Sequence, residues 1–354
     1  MALPLIGVGA LALGAAALGG YAWRNTGYAD RDAAKVRAAG FSTEQVTVAD
    51  GVGISFLRGP QNGPPLLLLH AQSADAHSYD RVLPALAREF TVYVPDLPGH
   101  GASDRTPGRY DIGFLTELVV DFCNTVIGRP VLVSGHSSGG LLAAAVGAAI
   151  PAQVRGLLLE DPPFFSTEAE RMPQQFNYVD LATPAHRFLQ QDAETDFVSW
   201  YIEHNAWIGY LGKGAPKIIE QAQRYRRRHP DRRLNLWFLP PSVNQTFAAM
   251  HLFDPRFADA FHELTWQAGF DQAATLGSLS MPATLVHANW RVTGDGILEG
   301  AMTDDDASRA CGLMGDCRLA RVDTGHGFHF EAPERFVHLL RRVADRAATS
   351  VATT

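Results

Sequence analysis

Two rhythms of hydrophobic positions alternate along most of the chain. Short runs rich in Leu and Val stand at residues 66–69, 91–94, 131–133, 154–160, 283–288 and 318–322. Runs of this kind suit strands buried on both faces of a parallel sheet. Between them lie segments with apolar residues at helical spacing, over 81–88, 112–126, 305–313 and from Pro333 onward. Earlier, 45–49 and 53–58 alternate around Asp50-Gly51, which predicts a hairpin. Strand and helix in alternation imply an α/β fold with a mostly parallel sheet and helices on both faces.

The alternation breaks at Asp161-Pro162-Pro163. Residues 162–270 offer helical stretches near 194–205, 216–228 and 255–270 and no convincing buried strand. An insertion of that size, late in such a sheet, predicts a helical cap over the strand ends. The division expected is a core of 44–161 and 271–345, a cap of 162–270, and a linker helix over 23–43. The cap is rich in aromatic residues, among them Phe164, Phe165, Trp200, Tyr201, Trp207, Tyr210, Trp237, Phe238, Trp266 and Phe270. Most must pack the cap itself. Together they favour a lipophilic or aromatic small-molecule substrate between cap and sheet.

Leu3 to Ala22 carries no charge and is long enough to cross a bilayer, and Arg24, Arg31, Lys35 and Arg37 follow it. By the positive-inside rule this predicts a membrane anchor with the rest of the chain on the cytoplasmic side. A secretory signal cut near Ala15-Ala16-Ala17, or an apolar helix packed on the globular part, are the alternatives. The net charge of −7 and the lack of a basic patch interleaved with aromatics argue against a nucleic-acid partner. The three cysteines, Cys123, Cys311 and Cys317, show no zinc-site spacing and imply no disulfide framework. No metal-ligand spacing or dinucleotide loop appears, so no cofactor or metal is expected.

The candidate chemistry centres on Pro130 to Gly140, where a buried strand runs into Gly135-His136-Ser137-Ser138-Gly139 and then a small-residue helix. A strand, a sharp turn and a helix with Ser137 at the apex lift its hydroxyl clear of the sheet, beside the positive end of the helix. Glycine neighbours are needed where the backbone doubles back.

These residues resemble the α/β-hydrolase superfamily, in its capped branch. The motifs are His70-Ala71 after a strand, Asp96-Leu97-Pro98-Gly99-His100-Gly101, the turn at Ser137, and Gly325-His326, in the family's order over residues 45–345. The resemblance implies an eight-stranded sheet, Ser137 as nucleophile and His326 as general base. His329, His70, His100 and His136 are then packing or loop residues. The acid stays open. The position usual for it, three residues past the seventh strand, holds Arg291. Asp161, which ends the strand after the nucleophile strand, is favoured; Asp295 is the alternative, and Glu160 a third. The oxyanion hole would use the backbone N–H of Ser138 and that of Ala71 or Gln72. The activity implied is hydrolysis of a lipophilic carboxylic ester or lactone through an acyl-enzyme on Ser137. A carbon–carbon bond hydrolase or perhydrolase on the same triad, or a non-catalytic ligand-binding protein of the same fold, are the rivals.

Overall fold

The computed structural model describes residues 19–352. Eight strands form one sheet: β1 (Ser42–Thr47), β2 (Gly53–Arg58), β3 (Pro65–Leu69), β4 (Thr91–Pro95), β5 (Val131–His136), β6 (Val154–Glu160), β7 (Ala283–His287) and β8 (Cys317–Arg321). Their order is β1-β2-β4-β3-β5-β6-β7-β8. Pairings β1–β2 and β2–β4 are antiparallel and all others parallel. The turn between β1 and β2 uses Asp50 and Gly51, both at positive φ (57° and 76°), the twist-compatible choice for a tight hairpin. β3, β4 and β5 are buried throughout, as their uninterrupted apolar runs require.

The helices that pack on the sheet and build the insertion include α1 (Tyr28–Ala38), α2 (Ile112–Phe122), α3 (Ser138–Ala149), α4 (Thr183–Leu189), α5 (Phe197–His204), α6 (Ala215–Arg228), α7 (Pro255–His262), α8 (Gln272–Ser278), α9 (Asp304–Leu313) and α10 (Pro333–Ala352). Two apolar cores lie on opposite faces of the sheet. One takes α2, α3 and the helical insertion; the other takes the α10 face with Phe336, Leu340 and Val343. Side chains on successive strand positions point to opposite faces, so both cores draw on the same strands: Leu67 and Leu69 serve one, Leu66 and Leu68 the other.

The insertion between β6 and β7 is built from α4 to α7 and short helical turns. Among the described residues its one strand-like contact is an isolated bridge from Gln175 to Leu298. The stretch 255–270 is helical only to His262, because Leu264 adopts a positive φ and Gly269 another. After β7 the chain forms a small ribbon, Arg291–Val292 against Leu298–Glu299.

The segment expected as a linker is not a free tether. Tyr28 and Val36 of α1 are buried, and residues before and within it bond to the insertion. Asn25 donates to Trp237 O at 3.0 Å, and Tyr28 to Gln245 Oε1 at 2.9 Å. Residues 3–18 of the uncharged stretch lie outside the described residues. Among the described residues no helix is long and apolar enough to cross a membrane.

The cysteine expectation needs correction. Cys311, late in α9, and Cys317, opening β8, are joined by a disulfide across a Cα–Cα distance of 5.4 Å. The turn from α9 into β8 brings the two Cα atoms into bridging range, which spacing along the chain does not reveal. Cys123 is buried and free.

Candidate active site

The turn at Ser137 follows from steric necessity. Ser137 sits at φ 56°, ψ −122°, between the last residue of β5 and the first of α3. A Cβ at Gly135 would lie 2.0 Å from Gly139 O, and one at Gly139 would lie 2.4 Å from Leu69 O. No other residue fits either place. A non-glycine residue with positive φ costs of order 1–3 kcal/mol and persists only when its surroundings impose it. Here Ser137 N–H donates to Glu160 O at 2.9 Å, pinning the turn to β6.

Asp161, directly after β6, also has a positive φ (44°). Its backbone N–H donates to Val286 O at 3.0 Å, and its Oδ1 accepts from Ala288 N–H at 3.1 Å. Its Oδ2 accepts from His326 Nδ1 at 2.7 Å. Burial pushes this carboxyl up, but the two neighbouring imidazoles and the Ala288 N–H outweigh it and hold the pKa down to about 2. A proton on Nδ1 facing Asp161 leaves the His326 Nε2 lone pair as the basic nitrogen. Burial lowers the pKa of His326, yet the bond to Asp161 prevails and places it above the usual histidine value. The His326 side chain remains 44% exposed, and it lines the same cavity as Ser137.

The other histidines of the motifs, His70, His100, His136 and His329, are held in hydrogen bonds to the surrounding loops and strands. His136 Nε2 donates to His326 O at 2.9 Å, fixing the loop that carries the imidazole. Burial lowers its pKa to about 3, so it does this as a neutral ring. His70 accepts from Leu97 N–H at 2.9 Å and donates from Nδ1 to Ala71 O at 2.8 Å, linking the two loops after β3 and β4. His100 accepts from Ser73 N–H at 3.1 Å. Glu160 is fully occupied: it takes both the backbone N–H and Nδ1 of His329, at 2.8 and 2.7 Å.

Of the other candidates, Asp295 stands exposed at the turn of the small ribbon and makes no bond to His326. Arg291 pairs with Glu299 on that ribbon. The Ser138 N–H opens α3 and has no intrahelical partner. The Gln72 N–H donates to Ser138 Oγ at 2.9 Å, so loop 70–73 is tied to the first residue of α3. Ala71 and Gln72 are buried beside it.

Sequence reasoning missed His287. It ends β7, close to where a carboxylate is usual, and is 2% exposed. Its Nε2 donates to Asp304 Oδ1 at 3.0 Å, while its Nδ1 points to Asp161 Oδ1 at 3.8 Å, too long for a hydrogen bond. Burial opposes a charge on this ring, but the two carboxylates win and raise its pKa. Asp161 is thus flanked by two imidazoles. A histidine at a strand end next to the missing-acid position was the available signal.

The cavity at Ser137 measures about 320 Å³. Of the aromatics expected, Tyr201 and Trp207 line it; Phe164, Phe165 and Trp266 are core, and Tyr210 and Trp237 are exposed. Phe176, Phe247 and Phe261 line it although their sequence context does not single them out. One wall is polar. Asp180 accepts from Tyr201 Oη at 2.6 Å and from Trp207 N–H at 3.0 Å, and burial raises its pKa despite these bonds. Asn177, Asn205 and Gln175 stand nearby on the lining.

Comparison with known proteins agrees with this architecture. The 30 kDa subunit of magnesium chelatase from Rhodobacter capsulatus is 42% identical over 86 residues, 24% of this chain and 30% of that protein. The match therefore spans under a third of that relative. A hydrolase from Pseudomonas aeruginosa PA01 superposes with a TM-score of 0.59 at 18% identity, covering 86% of this chain and 98% of that one. The enol-lactonase from Burkholderia xenovorans LB400 gives 0.57 at 16% identity, covering 86% and 100%. Residues 66–339 match the alpha/beta hydrolase family, and this chain belongs to it.

Proposed function

We propose that this protein is a serine hydrolase acting on a carboxylic ester or lactone. The observation that carries the reading is the His326 Nδ1 to Asp161 Oδ2 contact of 2.7 Å, with Ser137 at a strained turn on the same cavity. Ser137 Oγ attacks the carbonyl carbon while His326 Nε2 takes its proton. The tetrahedral oxyanion is met by the N–H of Ser138 and that of Gln72, once Ser138 Oγ releases the latter. One such donor supports about 3 kcal/mol of the rate enhancement. His326 then protonates the leaving oxygen, and a water activated by the same imidazole frees the acid. The aromatic lining suits an apolar acyl or alcohol part, and the Asp180 wall suits a polar end of the same molecule.

Fluorophosphonate labelling with site mapping tests the nucleophile. Modification of Ser137, absent from Ser137→Ala, is the expected result; an unlabelled but folded chain would instead favour a ligand-binding protein. A panel of aryl esters, lactones and vinylogous diketones then separates ester chemistry from carbon–carbon cleavage.

Attachment to a bilayer through residues 3–22 belongs to the same proposal. It is favoured by the exposed Tyr21 and Trp23 at the end of that stretch, a residue type suited to the membrane interface. Membrane fractionation with protease protection checks it, and recovery of the full-length chain in the soluble fraction would end it.

A further inference from the structure

Away from Ser137, four potential ligands converge where α4 packs on α7. They are His186 on α4, Asp259 and His262 on α7, and Glu263 immediately after it. On α7 the spacing is i, i+3, i+4, which puts all three on one face. Their donor atoms all lie within 4.8 Å of one another. His186 Nδ1 is 2.8 Å from Asp259 Oδ1 and 3.2 Å from Glu263 Oε1, and His262 Nδ1 is 3.2 Å from the same Glu263 oxygen. A tetrahedral zinc ion with bonds near 2.0–2.1 Å holds its ligands about 3.3 Å apart. The three separations of 2.8–3.2 Å approach those edges, and the remaining donor pairs lie within 4.8 Å. None of the four residues lines the Ser137 cavity.

The charge balance points the same way. Among the described residues, no lysine or arginine nitrogen comes within ion-pair distance of Asp259 or Glu263; their partners are the two imidazoles. Two carboxylates and two neutral imidazoles form a set of charge −2, matched to a divalent ion. Mixed nitrogen and oxygen donors suit zinc better than calcium or magnesium. His186 and His262 stack at 3.8 Å, and Tyr178 stacks on His262 at 5.2 Å, so one imidazole must turn out of the stack to bring both in-plane nitrogen lone pairs onto one ion. Gln190 Nε2 lies 2.7 Å from His186 Nε2. Rotating its amide places the oxygen there, to accept from Nε2–H when Nδ1 binds metal, the usual second support of a ligating histidine.

We propose that His186, Asp259, His262 and Glu263 form a binding site for a divalent transition-metal ion of zinc type, tying α4 to α7. The ion takes neutral imidazoles, their proton moved to Nε2, and ionised carboxylates; protons compete for the same donor atoms, so affinity falls as pH falls. The ion stiffens the wall behind the substrate cavity, since Phe261 precedes His262 and Asp180 lies in the turn that carries Tyr178.

The test uses the full chain, stripped with chelator and titrated with zinc chloride. One zinc per chain is expected, with a raised thermal midpoint and binding that weakens from about pH 7.5 to about pH 6. His186→Gln and His262→Gln should each weaken binding by at least roughly tenfold and abolish the thermal shift. Anomalous scattering from zinc-soaked crystals of the unaltered chain should place the ion among these four residues, and this holds even if a variant fails to fold. A zinc peak elsewhere, no peak, or stoichiometric binding retained in both folded variants would overturn the proposal.

Discussion

Two histidine–carboxylate pairs lie side by side at the end of β6, and they have opposite characters. Glu160 and Asp161 are consecutive, and their partners are three residues apart, His326 on the loop after β8 and His329 in the short helix Phe328–Glu331. In the Glu160–His329 pair both side chains are buried, at 0% and 3% exposure, and the second ring nitrogen lies 3.2 Å from Ser78 O. Every polar atom of that imidazole is engaged. In the Asp161–His326 pair the carboxylate is just as buried, yet the imidazole is open to the cavity and its Nε2 has no protein hydrogen bond among the described residues. What separates the two pairs is the unengaged nitrogen of His326 facing a cavity, the atom to which the proposed function gives the role of base. The shortest carboxylate contact has the same length, 2.7 Å, in each.

The contrast between the pairs breaks most readily at the chemistry. Ser137→Ala should lower ester turnover by about a million-fold with the fold intact, measured as kcat on an aryl ester; near-normal turnover would mean the open imidazole serves some other group. Asp161→Asn should cost about 10⁴ in kcat, because the wrong tautomer of His326 is then favoured. Glu160→Gln addresses the other pair. Leaving His329 without its buried carboxylate should cost about 3–5 kcal/mol of stability in a denaturant titration. Folded Glu160→Gln should still turn over ester, and loss of kcat comparable to that of Asp161→Asn would erase the distinction between the pairs.

The pH profiles sharpen it further. His326 must be neutral to act as base, and Asp161 raises its pKa. The acid limb of kcat/KM should therefore sit above about 6.5 and move to lower pH in Asp161→Asn. Glu160 behaves differently. Burial raises its carboxyl, but the partners His329 and His136 outweigh this and lower it below the ordinary value. Its contribution to stability is present above the unfolded pKa of about 4.3 and is lost as pH falls through the folded value. Acid unfolding should thus be less steep in Glu160→Gln. The smallest effect belongs to Asp295→Asn, on the exposed ribbon turn, where kcat should stay within about twofold because no catalytic atom contacts it.

Much of this was legible along the chain. The runs at 66–69, 91–94 and 131–133 become fully buried strands because an uninterrupted apolar run has no solvent face to offer. The Ser137 turn is written in its glycines, since only their missing Cβ atoms let β5, β3 and α3 approach so closely. These are local rules, enforced by sterics between neighbours. The pairing of Asp161 with His326, 165 residues apart, could be named as the favoured arrangement, but Asp295 and Glu160 remained open beside it.

Tertiary structure alone decided among contacts whose partners lie far apart in sequence. It set His287 beside Asp161 and gave Glu160 wholly to His329. It also chose Phe176, Phe247 and Phe261 over Phe164, Phe165 and Trp266 as cavity lining. Apolarity drives each of these rings out of water equally well. Which one meets the core and which the cavity depends on how α4 to α7 dock over the sheet, a property of the packed whole that no single stretch of residues carries.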